Sequence, residues 1–166
     1  MQKEMDEIDP IDRTAEELSK DDVTELTLGI KKILLATDGS APSIVATKYA
    51  IGMAKILDAE IIAVFVDELF ALLPEERAEE ESFERVKYTA AGLQVAKWYG
   101  EKNGVNVRTI AKKGSAPKQI IETAERENAD LIVLGTTGRT GLRRIMIGSA
   151  AEKVVKASRI PVLIAR

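Results

Sequence analysis

The chain has 166 residues, 45% of them hydrophobic and 31% charged, with a formal net charge of −3, a length and composition that fit one globular domain with a sizeable core. It contains no cysteine and no histidine, which excludes disulfides, thiolate metal sites, cysteine nucleophiles and the commonest general base. No apolar run approaches the ~20 residues that cross a membrane and no apolar signal core follows the first methionine, so the expected location is the cytoplasm.

Charge divides the chain. Residues 1–29 carry ten acids and three bases, a net of −7, whereas residues 30–166 carry seventeen acids and twenty-one bases, a net of +4. Such an arm can lie on the basic body or stay solvated, and solvation is the favoured reading. Thr14-Ala-Glu-Glu17 has the form of a capping box, so a short helix is expected to follow, to about Leu26. The mildly basic body has only seven aromatic residues (three Phe, three Tyr, one Trp), which argues against nucleic acid as a partner.

The body then alternates strand and helix. Lys32 to Thr37 reads as a buried strand, Asp38-Gly39-Ser40 as a turn, and Ser40 as the cap of a helix running to about Asp58, with Pro42 in its first turn. Glu60 to Asp67 is continuously apolar between its ends, as parallel strands covered on both faces are. Residues 68–81 form a long connection whose acids (Glu75, Glu76, Glu79, Glu80 and Glu81) read as a solvated loop and helix start. A helix is expected over 79–102, ending at Asn103-Gly104. Trp98 and Tyr99 are expected to pack on the sheet or a neighbour. Val105 to Ala111 is more alternating and so closer to an edge. Lys112 to Pro117 is a turn, and a helix carrying Ile120, Ile121 and Ala124 ends at Asn128-Ala129. A short apolar strand, Leu131 to Leu134, a loop, a helix over 148–158 and a last strand, Ile160 to Ala165, complete the chain.

Five strands separated by crossover helices predict an α/β fold, a parallel Rossmann-like sheet of order 3-2-1-4-5 with helices on both faces. Ligands then bind outside the carboxyl ends of the first and fourth strands, where the order reverses. The first strand ends at Thr37-Asp38-Gly39. The fourth ends at Gly135 and opens a loop of glycines, threonines and arginines, spaced Gly135-x2-Gly138-x9-Gly148-Ser149. Bare amides at glycines and at a helix start favour anions, and Arg139, Arg143 and Arg144 add positive charge, Arg139 being the nearest to the glycines. No Gly-Lys-Ser/Thr occurs, so this is not a Walker A loop. Asp38 suits a ribose hydroxyl, an adenine amino group or magnesium, so the ligand is expected to be a nucleotide.

Ile33-Leu-Leu-Ala-Thr-Asp-Gly-Ser40, the Gly-x2-Gly-x9-Gly-Ser spacing, and Glu152-Lys-Val-Val with Pro161-Val-Leu-Ile resemble the universal stress protein family, in its ATP-binding branch. The resemblance covers about residues 31–166. It implies ATP or ADP, with magnesium, as ligand. Thr37 and Asp38 would meet the nucleoside, as would Val66 or its neighbours Phe65 and Asp67. Gly135, Gly138, Gly148 and Ser149 would hold the phosphates, with Arg139 and Ala150 beside them. It also implies a homodimer through the final strand, Pro161 to Ala165. Many members carry a hydroxyl where this chain has Ala151, a departure that would weaken contact with a third phosphate. The acidic extension, residues 1–29, lies outside the family core. The function expected is a nucleotide-dependent switch or binding module in stress response, acting on an unidentified protein partner. A slow ATPase or another adenine-nucleotide hydrolase or transferase is the first alternative, and a nucleotide-free dimerisation module the second.

Overall fold

The computed structural model describes residues 29–68, 91–136 and 147–166. Five strands, β1 (Lys32–Ala36), β2 (Glu60–Asp67), β3 (Val107–Lys113), β4 (Leu131–Gly135) and β5 (Val162–Ala165), form one sheet of order β3-β2-β1-β4-β5. Every neighbouring pair is parallel, as the alternation of strand and helix predicts. Among the described residues four helices cover it: α1 (Ala41–Leu57), α2 (residues 91–103), α3 (Ala116–Arg126) and α4 (Ser149–Ala157).

Strand alternation divides the core into two layers. Ile33, Leu35, Ile61, Ala63, Leu131 and Val133 pack with Ala46, Ala50 and Ala54 of α1 and Ala96 of α2. On the other face Leu34, Ile62, Val64, Ile132 and Leu134 pack with Ile120 and Ala124 of α3 and Ala151 and Val154 of α4. Burial on both faces explains why the inner strands read as unbroken apolar runs. The edge strand β3 alternates between half-buried and exposed positions.

The ends of the elements follow local chemistry. Ser40 caps α1 by accepting the Ser43 N–H at 3.4 Å, with proline in the first turn. Gly104 stands at φ 70° after α2, and the Val105 N–H donates back to the Gly100 carbonyl at 2.9 Å. That helix-terminating bond occupies Val105, so β3 begins at Val107 and not at Val105 as the sequence predicts. The strand continues instead through Lys112 and Lys113, which align with Val66 and Asp67. Asn128 adopts φ 52° and the Ala129 N–H donates to Ala124 O at 2.8 Å, so Asn128 terminates α3 as expected. Tyr99 packs on the first layer whereas Trp98 stays half exposed, its ring meeting Tyr99 edge-on at 5.0 Å. The expected helix at Thr14, the acidic run at 75–81 and residues 79–90 of the expected second helix lie outside the described residues.

Asp130 ties the start of the sheet together. Its Oδ2 accepts the Lys31 and Lys32 N–H groups at 2.8 and 2.9 Å. Nearby, the Arg108 guanidinium donates to Glu127, and this bond, followed by the charges of Arg108, Arg126 and Lys32, holds the Glu127 carboxyl below the ordinary carboxylate range. A carboxyl lowered in the folded state stabilises above its unfolded pKa, about 4.3 for glutamate, and that contribution is lost as pH falls through the lower folded value. Glu127→Gln is therefore expected to flatten the acid limb of the stability curve below about pH 5, read by urea denaturation at several pH values. An unchanged acid limb would contradict it.

Candidate functional site

The carboxyl ends of β1 and β4 lie side by side, in register from Ile33 with Leu131 to Leu35 with Val133. Beyond β1 the chain is braced from within. Thr37 is buried, and its Oγ1 donates to Ser43 Oγ at 3.2 Å and accepts the Gly39 N–H at 3.4 Å. Ser43 Oγ in turn donates to the Ser40 carbonyl at 2.9 Å. Asp38 Oδ1 accepts the Ser40 N–H at 3.0 Å, and Gly39 takes φ 76°, a conformation that favours glycine. This mesh fixes the Asp38 backbone at the mouth of the switch point, with the side chain half-buried.

Val66 is half-buried and belongs to the face packed by α3 and α4, as do Ala36 and Val64. Ala36 aligns with Val64 in the parallel ladder, so Asp38 and Val66 each follow two residues further on. Phe65 faces the opposite way and is buried at 8% exposure, and Asp67 shares its parity, its carbonyl accepting the Gly114 N–H at 3.0 Å. Of these three neighbours Val66 alone combines partial exposure with the alternation that Asp38 continues.

Gly135 has a packing role of its own. A Cβ on it would lie 2.7 Å from both the carbonyl carbon and the carbonyl oxygen of Pro42, so β4 and the first turn of α1 touch backbone to backbone. Thr136 then closes a neck: its N–H donates to the Ala165 carbonyl at 3.1 Å and its carbonyl accepts the Gly148 N–H at 2.6 Å. The loop between them leaves and returns through one point. Gly138 and Arg139, with Arg143 and Arg144, lie outside the described residues.

At the return, Gly148 is the N-cap of α4 and supplies no side-chain cap bond. The first amides of a helix have no intrahelical acceptor, so those of Ser149 and Ala150 are left to an outside group with the helix dipole behind them. Ser149 is exposed and Ala150 half-exposed. Ala151 instead buries its methyl in the second layer with Val154, an environment that gives alanine its own reason at this position. Glu152, the one acid in the first turn, is drawn down the helix by Lys156, whose Nζ reaches Oε1 at 2.6 Å. That hydrogen bond also holds the Glu152 carboxyl below the ordinary range. Among the described residues no group of three or more acids converges to hold a metal.

A sequence profile described as "Universal stress protein family" matches residues 29–166. The chain belongs to the universal stress protein family. It is 43% identical over 139 residues to universal stress protein MJ0531 of Methanocaldococcus jannaschii, covering 82% of each chain. Universal stress protein MJ0577 of the same organism has a solved structure that superposes with a TM-score of 0.71 at 30% identity, covering 83% of this chain and 96% of that one. A universal stress protein from Archaeoglobus fulgidus, solved in complex with dAMP, covers 84% of this chain and all of its own at a TM-score of 0.62. Its 17% identity carries the fold alone.

One site feature escapes a reading of the sequence. A Cβ on Gly92 of α2 would lie 2.7 Å from Gly39 N and 2.9 Å from Thr37 Oγ1, so α2 rests directly on the Thr37–Gly39 turn. The available signal was a glycine inside a helical pattern, which ordinarily has a packing reason.

Proposed function

We propose that this universal stress protein binds an adenine nucleotide, ATP or ADP, across the carboxyl ends of β1 and β4 and acts in the cytoplasm as a nucleotide-dependent switch. The observation that carries the reading is the pairing of the uncapped α4 start with the braced Asp38 turn at the one place where the strand order reverses. Asp38 and Val66 take the nucleoside side. The Thr37 hydroxyl is engaged with Ser43 and its N–H with the Val64 carbonyl, so Thr37 contributes through its carbonyl. Gly148, Ser149 and Ala150 take the phosphates, joined by Gly138 and Arg139 from the loop and by Gly135 as the close-packed floor. Magnesium arrives with the phosphates and not in a carboxylate cage. Adenine as the base is part of the proposal, and the A. fulgidus protein solved in complex with dAMP shares this fold.

Bound nucleotide biases the surface above the neck toward or away from a protein partner. β5 is an edge strand with β4 on one side, and the proposal includes a homodimer in which the Pro161 to Ala165 edges pair antiparallel.

The test is to denature the purified protein, identify the released nucleotide, and measure melting with ATP or ADP and magnesium. At about a hundredfold excess over Kd, binding adds about 2.7 kcal/mol, a rise of roughly 5–10 °C for a chain of this size. Asp38→Ala is expected to weaken binding by about ten- to a hundredfold, the range for a hydrogen bond to a charged group. No released nucleotide together with an unmoved melting temperature would remove the proposal; an Asp38→Ala protein that binds like its parent would remove the role of Asp38. Turnover with magnesium well above about one per minute, slow against ordinary enzymes, would favour the ATPase reading.

A further inference from the structure

We propose that the acidic segment preceding Gly29 docks back on this same chain, along the outer face of α1. That helix is apolar on both sides. Its inner side fills the first core layer, yet its outer side presents Tyr49 and Ile56, 55% and 84% exposed, with Gly52 exposed between them. The spacing 49, 52, 56 is that of one helical stripe. A helix that carries an apolar stripe on its outer face as well ordinarily has that stripe covered.

Charge singles out the occupant. Lys48 and Lys55 flank the stripe and are exposed, and α1 contains no acid at all. The two acids near its end are already matched: Asp58 lies 3.9 Å from Lys31, and Glu60 lies 3.8 Å from Lys32. The segment before Gly29 carries ten acids against three bases. Its last stretch, Asp21-Asp-Val-Thr-Glu-Leu-Thr-Leu28, interleaves three acids with Val23, Leu26 and Leu28, the composition that matches an apolar stripe bordered by lysines.

Position agrees. The arm enters the body at Gly29, two residues before Lys31, whose Nζ donates to the Leu57 and Asp58 carbonyls at 3.2 and 3.4 Å. The arm therefore begins at the end of α1 that carries Lys55 and Ile56. A cleft of about 320 Å³ opens there beside Lys55 and Asp58, between Ala54 and Val105. Residues 69–90, by contrast, leave after Glu68 at the carboxyl end of β2, the opposite end of the sheet. The stripe from Tyr49 to Ile56 spans about 10 Å of α1 at 1.5 Å per residue, well within the reach of 28 residues at ~3.3 Å each. The lysines and apolar stripe of α1, at the end where the arm joins the body, thus favour docking over the solvated state read from composition.

The test uses the full chain. Amide hydrogen exchange of residues 18–28 is compared in the parent and in the Lys48→Glu/Lys55→Glu double variant, at low salt and at 1 M salt, with the mass in solution measured in parallel. Both lysines are exposed, so the fold tolerates the change. The parent arm is expected to exchange about tenfold slower than a free chain, with protection lost in the variant and reduced when salt shortens the screening length to ~3 Å. Ile56→Asp, also at an exposed position, is expected to release the arm without changing the mass. Free-chain exchange in the parent would overturn the proposal, as would an Ile56→Asp that halves the mass while leaving the arm's exchange unchanged, because a second copy would then be the occupant.

Discussion

Gly135→Ala is expected to destabilise the protein by about 2 kcal/mol net, roughly 3 kcal/mol for overpacking a close-packed site less a local gain, and to lower the proposed nucleotide affinity with it. On local grounds the change should help, because glycine within a strand costs roughly 0.5–1 kcal/mol relative to alanine. The contact reverses the sign. The new methyl would meet the Pro42 carbonyl carbon and oxygen at 2.7 Å, and neither is the free end of a side chain that can swing away. Either β4 leaves its register with Val133 against Leu35 and Gly135 against Ala165, or the first turn of α1 moves outward. The second route carries Ser40 with it and so disturbs the bond from its N–H to Asp38. Thermal melting reads the first consequence, as a fall of about 2–4 °C per kcal/mol lost. Titration with ATP reads the second. A variant as stable as its parent would mean that β4 and α1 are not in backbone contact.

Much of this architecture is legible in residue order because the inner strands are short and apolar and two of them, β2 and β4, follow a helix terminator, Asp58 and Asn128. Glu60 to Asp67 is read to the residue, and the helix from the Ser40 cap to about Asp58 ends at Leu57 with Asp58 as its cap. β3 is shifted by two residues for a reason that sequence period does not carry. Val105 is apolar and suits a strand, but its N–H is needed to close α2 over Gly104. The switch point is legible too, because strand order follows from the alternation and fixes which loops meet. What the sequence could not supply is the reason for each glycine. Gly135, Gly148 and Gly92 look alike in a sequence. One touches Pro42, one caps a helix, and one lies on Thr37 and Gly39. The difference arises from elements far apart in the chain.

Gly92→Ala and Gly52→Ala turn that distinction into a pair of opposite outcomes. Both glycines lie in helices, where alanine is intrinsically favoured by about 1 kcal/mol. Gly52 is exposed on α1 and a Cβ there would meet nothing within 4 Å. Gly52→Ala is therefore expected to raise stability by up to about 1 kcal/mol. Gly92 is buried, and a Cβ there would meet Gly39 N at 2.7 Å and Gly39 Cα at 3.1 Å, with Thr37 Oγ1 at 2.9 Å. Thr37 cannot rotate aside without giving up its bond to Ser43 Oγ, and Gly39 is held at φ 76° in the turn. Overpacking costs typically 1–3 kcal/mol, and contacts this short to held atoms place the site at about 2–3, so the net expected for Gly92→Ala is a loss of about 1–2 kcal/mol once the helical gain is subtracted. Urea denaturation of the two variants beside the parent decides it, since their midpoints should move in opposite directions. Because α2 rests on the Thr37–Gly39 turn, Gly92→Ala should also weaken the proposed ATP binding while Gly52→Ala leaves it unchanged. If both substitutions stabilise alike, α2 does not bear on that turn, and the bracing of Asp38 has to come from Ser40 and Ser43 alone.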